Sequence, residues 1–250
     1  MIDLSGRLAL VTGGSRGVGR ATALLLAEAG ADVAVGYRSQ AGEADEVVDA
    51  IHELGCRGIG VQGDLSDPTS ARRVVATAVT ELGGLDIVVE NAGVWPVEDV
   101  PLSAMGEDQW RSTHAINLDA VFHTLQAAIP HLAHGGRIVL VSSTAGQRGE
   151  AFHADYASTK GALIALTKSL AVELAPRITV NCVAPGWVDT DMAKPAYGSG
   201  GLERIASGIP LGRVATAADV AGPIVFLCSE LARHVTGEVL NVNGGSVLCG

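Results

Sequence analysis

Cysteine, aromatic residues, positive charge and long apolar runs are all scarce in this chain, and each scarcity excludes something. The four cysteines, Cys56, Cys182, Cys228 and Cys249, lie far apart without a CxxC pair. That spacing indicates neither a disulfide framework nor a zinc site, so no metal is expected, and Cys182 and Cys228 read as core hydrophobes. Aromatics are 4% of the residues whereas glycines number 32, a balance suited to strands of Val, Ile, Leu and Ala joined through glycine turns. Lys and Arg total 17 against 27 Asp and Glu, a formal charge of −10, so the field of the whole molecule repels nucleic acid and anionic membranes. No segment reaches about 18 uninterrupted apolar residues, the length of a membrane span. The opening MIDLSGRLALVTGG lacks the charged and apolar regions of an export signal. The expectation is a soluble, cytoplasmic protein with no nucleic-acid or membrane partner.

What is present is material for one large core, with 48% hydrophobic residues and a mean hydropathy of +0.32. No repeat, charge run or linker divides the 250 residues, so a single domain over 1–250 is expected. Apolar runs at 7–12, 32–36, 58–61, 85–89, 137–141, 178–183 and 238–242 read as strands. Helical periodicity fills 21–30, 41–54, 69–82, 109–132, 157–174 and 216–227, with Pro130 expected to kink or end the fourth of these early. This alternation implies a doubly wound, parallel, seven-stranded sheet flanked by helices, with its ligand at the carboxyl ends of the strands. The stretch 187–210, with a Gly/Ser patch, reads as a mobile substrate loop or else as disorder.

The stretch 142–160, SSTAGQRGEAFHADYASTK, places a hydroxyl, a phenol and an ammonium within mutual reach. Tyr156 and Lys160 are four apart and share a helix face. A free phenol has a pKa near ~10, and a fixed cation beside it favours the phenolate, bringing proton exchange with an alcohol oxygen into range. Ser142 and Ser143 close a strand, so one of their hydroxyls faces the same cleft. Alternatively the pair is a half-buried Tyr and a solvated Lys on an ordinary helix. Asn117 sits in an apolar helix and needs partners: either it bonds backbone across a helix interface, or it holds water linked to Lys160. His114, His123, His131 and His134, at mixed spacing nearby, read as packing or surface residues.

A nucleotide loop follows the first strand. Gly13, Gly17 and Gly19 form a TGxxxGxG pattern between strand and helix, where small residues let backbone approach a pyrophosphate at the positive helix end. The second strand ends in Tyr37, Arg38 and Ser39 with no acid to bond a ribose 2′-hydroxyl. Arg38 and Arg16 instead suit a 2′-phosphate, favouring NADP(H) over NAD, unless both are plain surface charges. Asp64, followed by Leu65, either accepts from an adenine amino group or initiates the turn before Asp67 and Pro68. Asn91, Ala92 and Gly93 end the fourth strand, small enough to lie beside a flat ring, with Asn91 able to tie adjacent strand ends together.

In their order these motifs resemble the short-chain dehydrogenase/reductase family almost end to end. The match runs through Thr12-Gly13-Gly14-Ser15-Arg16-Gly17-Val18-Gly19, Asp64, Asn91-Ala92-Gly93, Asn117, Ser143, Tyr156-x-x-x-Lys160, and Pro185-Gly186 with Thr190. The resemblance implies a Rossmann fold in which Tyr156 is the general acid/base and Ser143 polarises the substrate oxygen. It implies that Lys160 holds the nicotinamide ribose and lowers the tyrosine pKa, Asn117 supports a proton relay, and Val188 and Thr190 touch the carboxamide. It also implies a homotetramer. Glu90 departs from a frequent family Asn, which bears on local hydrogen bonding. Likeness is greatest to 3-oxoacyl carrier-protein reductases and bacterial sugar and alcohol dehydrogenases. An acidic carrier protein needs a basic patch, yet 121–136 holds no Lys or Arg and Arg177 is a lone candidate. The expected substrate is therefore a small carbonyl/alcohol pair. A non-catalytic dinucleotide sensor would dispense with Ser143, Tyr156 and Lys160, and a methyltransferase would want an acid where Tyr37 and Arg38 stand.

Overall fold

Each apolar run becomes a strand and each periodic stretch the helix that returns the chain, in a computed structural model describing residues 2–249. Met1 and Gly250, the ends of the expected 1–250 unit, lie outside the described residues. In chain order the elements are β1 (Leu8–Val11), α1 (Gly17–Glu28), β2 (Asp32–Tyr37), α2 (Ala41–Glu53), β3 (Gly58–Gln62), α3 (Pro68–Leu82), β4 (Leu85–Glu90), α4 (Glu107–His114) and α5 (Ala120–Ala128). There follow β5 (Leu132–Val141), α6 (Thr144–Arg148), α7 (Ala154–Glu173), β6 (Ile178–Pro185), α8 (Gly201–Ala206), α9 (Ala217–Cys228) and β7 (Val239–Val242). The strands form one seven-stranded parallel sheet in the order β3-β2-β1-β4-β5-β6-β7, as the alternation predicts.

Strand side chains alternate between faces, and the core is split accordingly. Ala9, Val11, Val33 and Val35 pack with residues of α1, α2 and α9. Leu10, Ala34 and Val88 face the other way, onto α3, α5 and α7. β1 has β2 on one side and β4 on the other. The chain thus reverses its direction of winding there, and a crevice opens at the carboxyl ends of β1 and β4.

Several elements differ from the sequence expectation, and α1 starts at Gly17 rather than 21. The single helix over 109–132 is instead α4, a π turn over Ala115–Asp119, α5, and a 3-10 turn over Ile129–His131 at Pro130. The wide turn carries the buried Asn117, whose Oδ1 accepts from the Val94 N–H at 2.8 Å and whose Nδ2 donates to the Val94 carbonyl at 2.9 Å. β5 starts at Leu132 rather than 137, because Leu132 pairs with Leu85 before the register shifts. α7 starts at Ala154 rather than 157. The buried Asp155 carboxylate accepts from the Tyr156 N–H (2.9 Å), the Thr113 hydroxyl (2.9 Å) and Gln109 (3.1 Å), so its first turn is anchored to α4. The 187–210 stretch contains 3-10 turns and α8, and buries Ala193, Ile205 and Ile209.

Candidate active site

One cleft of about 390 Å³ opens at the switch point, and nearly all the residues singled out in the sequence line it. At one end lie Gly13, Ser15, Arg16, Gly17 and Val18 from the glycine loop, with Tyr37, Arg38 and Ser39 after β2 and Asp64 and Leu65 after β3. In the middle are Asn91, Ala92 and Gly93; at the other end stand Ser143, Tyr156 and Lys160, roofed by Pro185, Gly186, Val188 and Thr190. Gly19 and Asn117 are the exceptions. Gly19 lies beneath the loop, where an added Cβ would run into the Gly13 carbonyl and the Asn91 amide, and Asn117 is fully buried behind Gly93.

The glycine loop is held by backbone. Gly13 and Gly17 have φ of 63° and 55°, the left-handed region that favours glycine. A Cβ on Gly13 would stand 3.0 Å from the Ala92 Cα. Beyond the loop, α1 begins without a side-chain cap, so its first N–H groups have no side-chain acceptor where Gly17 and Val18 line the cleft.

Thr12, which heads the glycine motif in the sequence without a role of its own there, organises this end. Its buried hydroxyl accepts from the Asn91 N–H (3.0 Å) and the Ala92 N–H (3.1 Å), and lies 3.1 Å from Glu90 Oε2 and 3.3 Å from the Val89 carbonyl. Asn91 does tie the strand ends together, its Nδ2 donating to the carbonyls of Thr12 and Gly13 at 3.1 Å each. Arg38 and Arg16 are exposed, and Arg38 stands 3.8 Å from Asp64. Asp64 accepts from the N–H and hydroxyl of Ser66, a turn-forming arrangement, while Asp67 caps α3.

At the chemical end, the two serines divide their work. Ser142 is buried and donates to the Lys160 carbonyl at 2.7 Å. Ser143 caps α6, accepting from the Ala145 N–H at 3.1 Å, which leaves its own O–H available to Tyr156 or to a ligand oxygen. Lys160 Nζ, 5% exposed as a residue, donates to the Val141 carbonyl at 2.8 Å and lies 5.8 Å from the Tyr156 ring centroid. A Cβ on Gly93 would meet Asn117 Oδ1 at 3.1 Å and Lys160 Nζ at 3.5 Å.

Burial governs the electrostatics. It pushes the Tyr156 phenol up to about 12, countered by the Ser143 hydroxyl and reinforced by the Glu150 carboxylate, even though the ring keeps some surface on the cleft. It also pulls the Lys160 ammonium down to about 8. Desolvation leads the shift of each group, and the neighbours that act on Tyr156 are Ser143 and Glu150. Asn117, offered as a relay residue, spends its amide on both polar groups of Val94. Thr190 stands against the glycine loop, its Cγ2 3.5 Å from where a Gly17 Cβ would be. Arg177 is not at the cleft: it donates to the carbonyls of Leu132 and Ile129 at the amino end of β6.

A parallel sheet with a glycine loop at its switch point, and a hydroxyl, phenol and ammonium across the same cleft, define an α/β oxidoreductase of the nucleotide-binding kind. A family model described as enoyl-(acyl carrier protein) reductase matches residues 13–246. Cyclohexanol dehydrogenase of Rhodococcus sp. strain TK6 is 42% identical, over 98% of this chain and 97% of its own length. A 3-oxoacyl-(acyl-carrier-protein) reductase of Staphylococcus aureus is 40% identical, over 95% and 96%. Among solved structures, a short-chain dehydrogenase from Burkholderia cenocepacia in complex with NADP superposes with a TM-score of 0.91 at 42% identity, covering 97% of this chain and 98% of that one. The chain belongs to the short-chain dehydrogenase/reductase family.

Glu90 is the residue whose sequence departure has a measurable consequence. It is 2% exposed with one oxygen unpartnered, and burial pushes its carboxyl from an ordinary 4.5 up to about 8, the Thr12 hydroxyl opposing. Between those values the native chain holds a proton that the unfolded chain has released, so the stability linked to it is full at the acid side and is lost as pH rises through about 8. Between pH 6 and pH 9 the Tm of the wild type, followed by circular dichroism, should fall several degrees further than that of Glu90→Gln, whose amide does not titrate. Parallel Tm curves would contradict the assignment.

Proposed function

We propose that this chain interconverts a small, neutral carbonyl compound and its alcohol with NADP(H), Tyr156 serving as general acid/base. The observation that carries the reading is that Ser143, Tyr156 and Lys160 share one cleft with the glycine loop and Arg38. The residues fit the cofactor. Gly13 and Gly93 line the cleft with bare backbone, α1 presents uncapped N–H groups to a pyrophosphate, exposed Arg38 follows β2 where an acid would select NAD, and exposed Arg16 stands in the glycine loop. Support also comes from the solved relative that holds NADP and from relatives named for a cyclic alcohol and a 3-oxoacyl group.

When bound, the nicotinamide supplies or accepts a hydride at the substrate carbon. The protein's work is proton control. Ser143 directs its O–H toward the substrate oxygen, which strengthens as negative charge develops there. Tyr156, held protonated by its surroundings, gives its proton to that oxygen on reduction and takes it back on oxidation. Lys160 has one N–H committed to Val141, and its remaining donors are left for a ribose. Its charge then also offsets a transient phenolate. The absence of Lys and Arg from 121–136, together with the position of Arg177 away from the cleft, favours a free small molecule over a carrier-bound thioester.

Tyr156→Phe should lose turnover by roughly 10²–10⁴-fold while still binding NADPH, measured by nicotinamide absorbance and fluorescence titration; near-normal turnover would remove Tyr156 from the mechanism. For the cofactor, Arg38→Ala should lower the ratio of kcat/KM for NADPH over NADH by about tenfold or more. A ratio equal to that of the wild type would sink the 2′-phosphate assignment.

A further inference from the structure

The far end of the cleft, beyond Tyr156, carries a group that proton transfer does not use. Glu150 lines the cleft with Trp95 and Trp187. The two indoles meet nearly edge to face, with centroids 5.9 Å apart at 78°, and so form an apolar corner. The Glu150 carboxylate is half-buried there and belongs to none of the ion pairs among the described residues. Burial raises its pKa; His153, the Trp95 indole and exposed Arg148 counter that effect, and Asp99 adds to it. It lines the same cleft as Tyr156, and its field reaches the phenol.

The loop bearing Glu150 is held at some cost. Phe152, two residues on, adopts a φ of 66° and is the one non-glycine residue with a positive φ among those described. Such a backbone costs of order 1 kcal/mol or more and persists only where its surroundings impose it. Here they do: the Val100 N–H donates to the Phe152 carbonyl at 3.1 Å, His153 Nε2 lies 3.1 Å from Asp99, and the His153 ring packs on Trp95 with centroids 4.8 Å apart. The loop after β4 and the loop after α6 are thus clasped, and the clasp fixes Glu150 against the indole corner.

The Trp95 indole already acts on the Glu150 carboxylate, and the carboxylate's further acceptor capacity lines the cleft, where it can take a donor from a ligand. A ring whose C–H face lies on an indole and whose hydroxyl reaches the carboxylate satisfies both halves of the corner at once. We propose that Glu150 is a specificity-determining residue that accepts a hydrogen bond from a second hydroxyl of a compact cyclic substrate stacked on Trp95 and Trp187. The preferred pair is then a neutral hydroxylated cyclic ketone and its diol. This rests on the carbonyl/alcohol reading above and narrows it.

Two readouts test it, in the wild type, Glu150→Leu and Glu150→Gln. The first is kcat/KM with NADPH for 2-hydroxycyclohexanone over cyclohexanone. A ratio of at least about tenfold is expected in the wild type. It should collapse toward one in Glu150→Leu through KM rather than kcat, and be partly rescued in Glu150→Gln, which keeps an acceptor oxygen. The second needs no turnover: trans-1,2-cyclohexanediol should quench tryptophan fluorescence at lower concentration than cyclohexanol in the wild type but not in Glu150→Leu. A wild-type ratio near one, the same ratio in all three proteins, or equal quenching by both alcohols overturns the proposal. Should NADPH bind while no ring is turned over, the reductase reading fails instead, and the quenching comparison alone decides whether Glu150 reads a hydroxyl.

Discussion

The cleft depends on a single hydroxyl at the seam between β1 and β4. Thr12 is fully buried at the carboxyl end of β1 and takes the N–H groups of both Asn91 and Ala92 from the end of β4. Satisfying two donors on one oxygen in a dry interior leaves the adjoining backbones little freedom to slide. It sets the closeness of Gly13 to Ala92, and that spacing in turn makes glycine necessary in the loop. Three residues along from Glu90, Gly93 meets Asn117 and Lys160, so the same seam aligns the nucleotide end of the cleft with its chemical end.

Desolvation, more than pairing, sets the charge states along this line. Glu90, Tyr156 and Lys160 are all shifted toward their neutral forms, with burial the leading cause in each. Neighbours modulate the result through individual groups: Thr12 for Glu90, Ser143 and Glu150 for Tyr156, and Cys182 for Lys160. The Arg16 and Arg38 side chains sit at the exposed nucleotide end. A cleft with exposed arginines at its nucleotide end and buried titratable groups at its chemical end suits an anionic cofactor paired with an uncharged substrate.

Much of this was legible in the residues alone. The seven strands follow from short apolar runs in a chain with few aromatics, and the switch-point cleft follows from the strand–glycine–helix order. The Tyr156–Lys160 face follows from helical spacing. What could not be read depends on neighbours distant in the chain. The π turn at Asn117 exists because Val94 offers both a donor and an acceptor, and the early start of α7 because Thr113 and Gln109 reach Asp155. The direction of the Tyr156 shift needed its burial, which spacing does not report. Arg177 was the lone candidate for a basic patch, but the carbonyls of Ile129 and Leu132, where β5 begins, occupy it. Thr12 stood next to the glycine loop in plain sight, and its role became visible only once β4 lay beside β1.

The most direct measurement is the affinity of Thr12→Val for NADPH. Valine keeps the shape and removes the hydroxyl, leaving the Asn91 and Ala92 N–H groups without their acceptor. If the seam sets the cleft, the Kd should rise about tenfold or more while far-UV circular dichroism still shows the α/β fold. A folded variant that binds NADPH as tightly as the wild type would contradict the account.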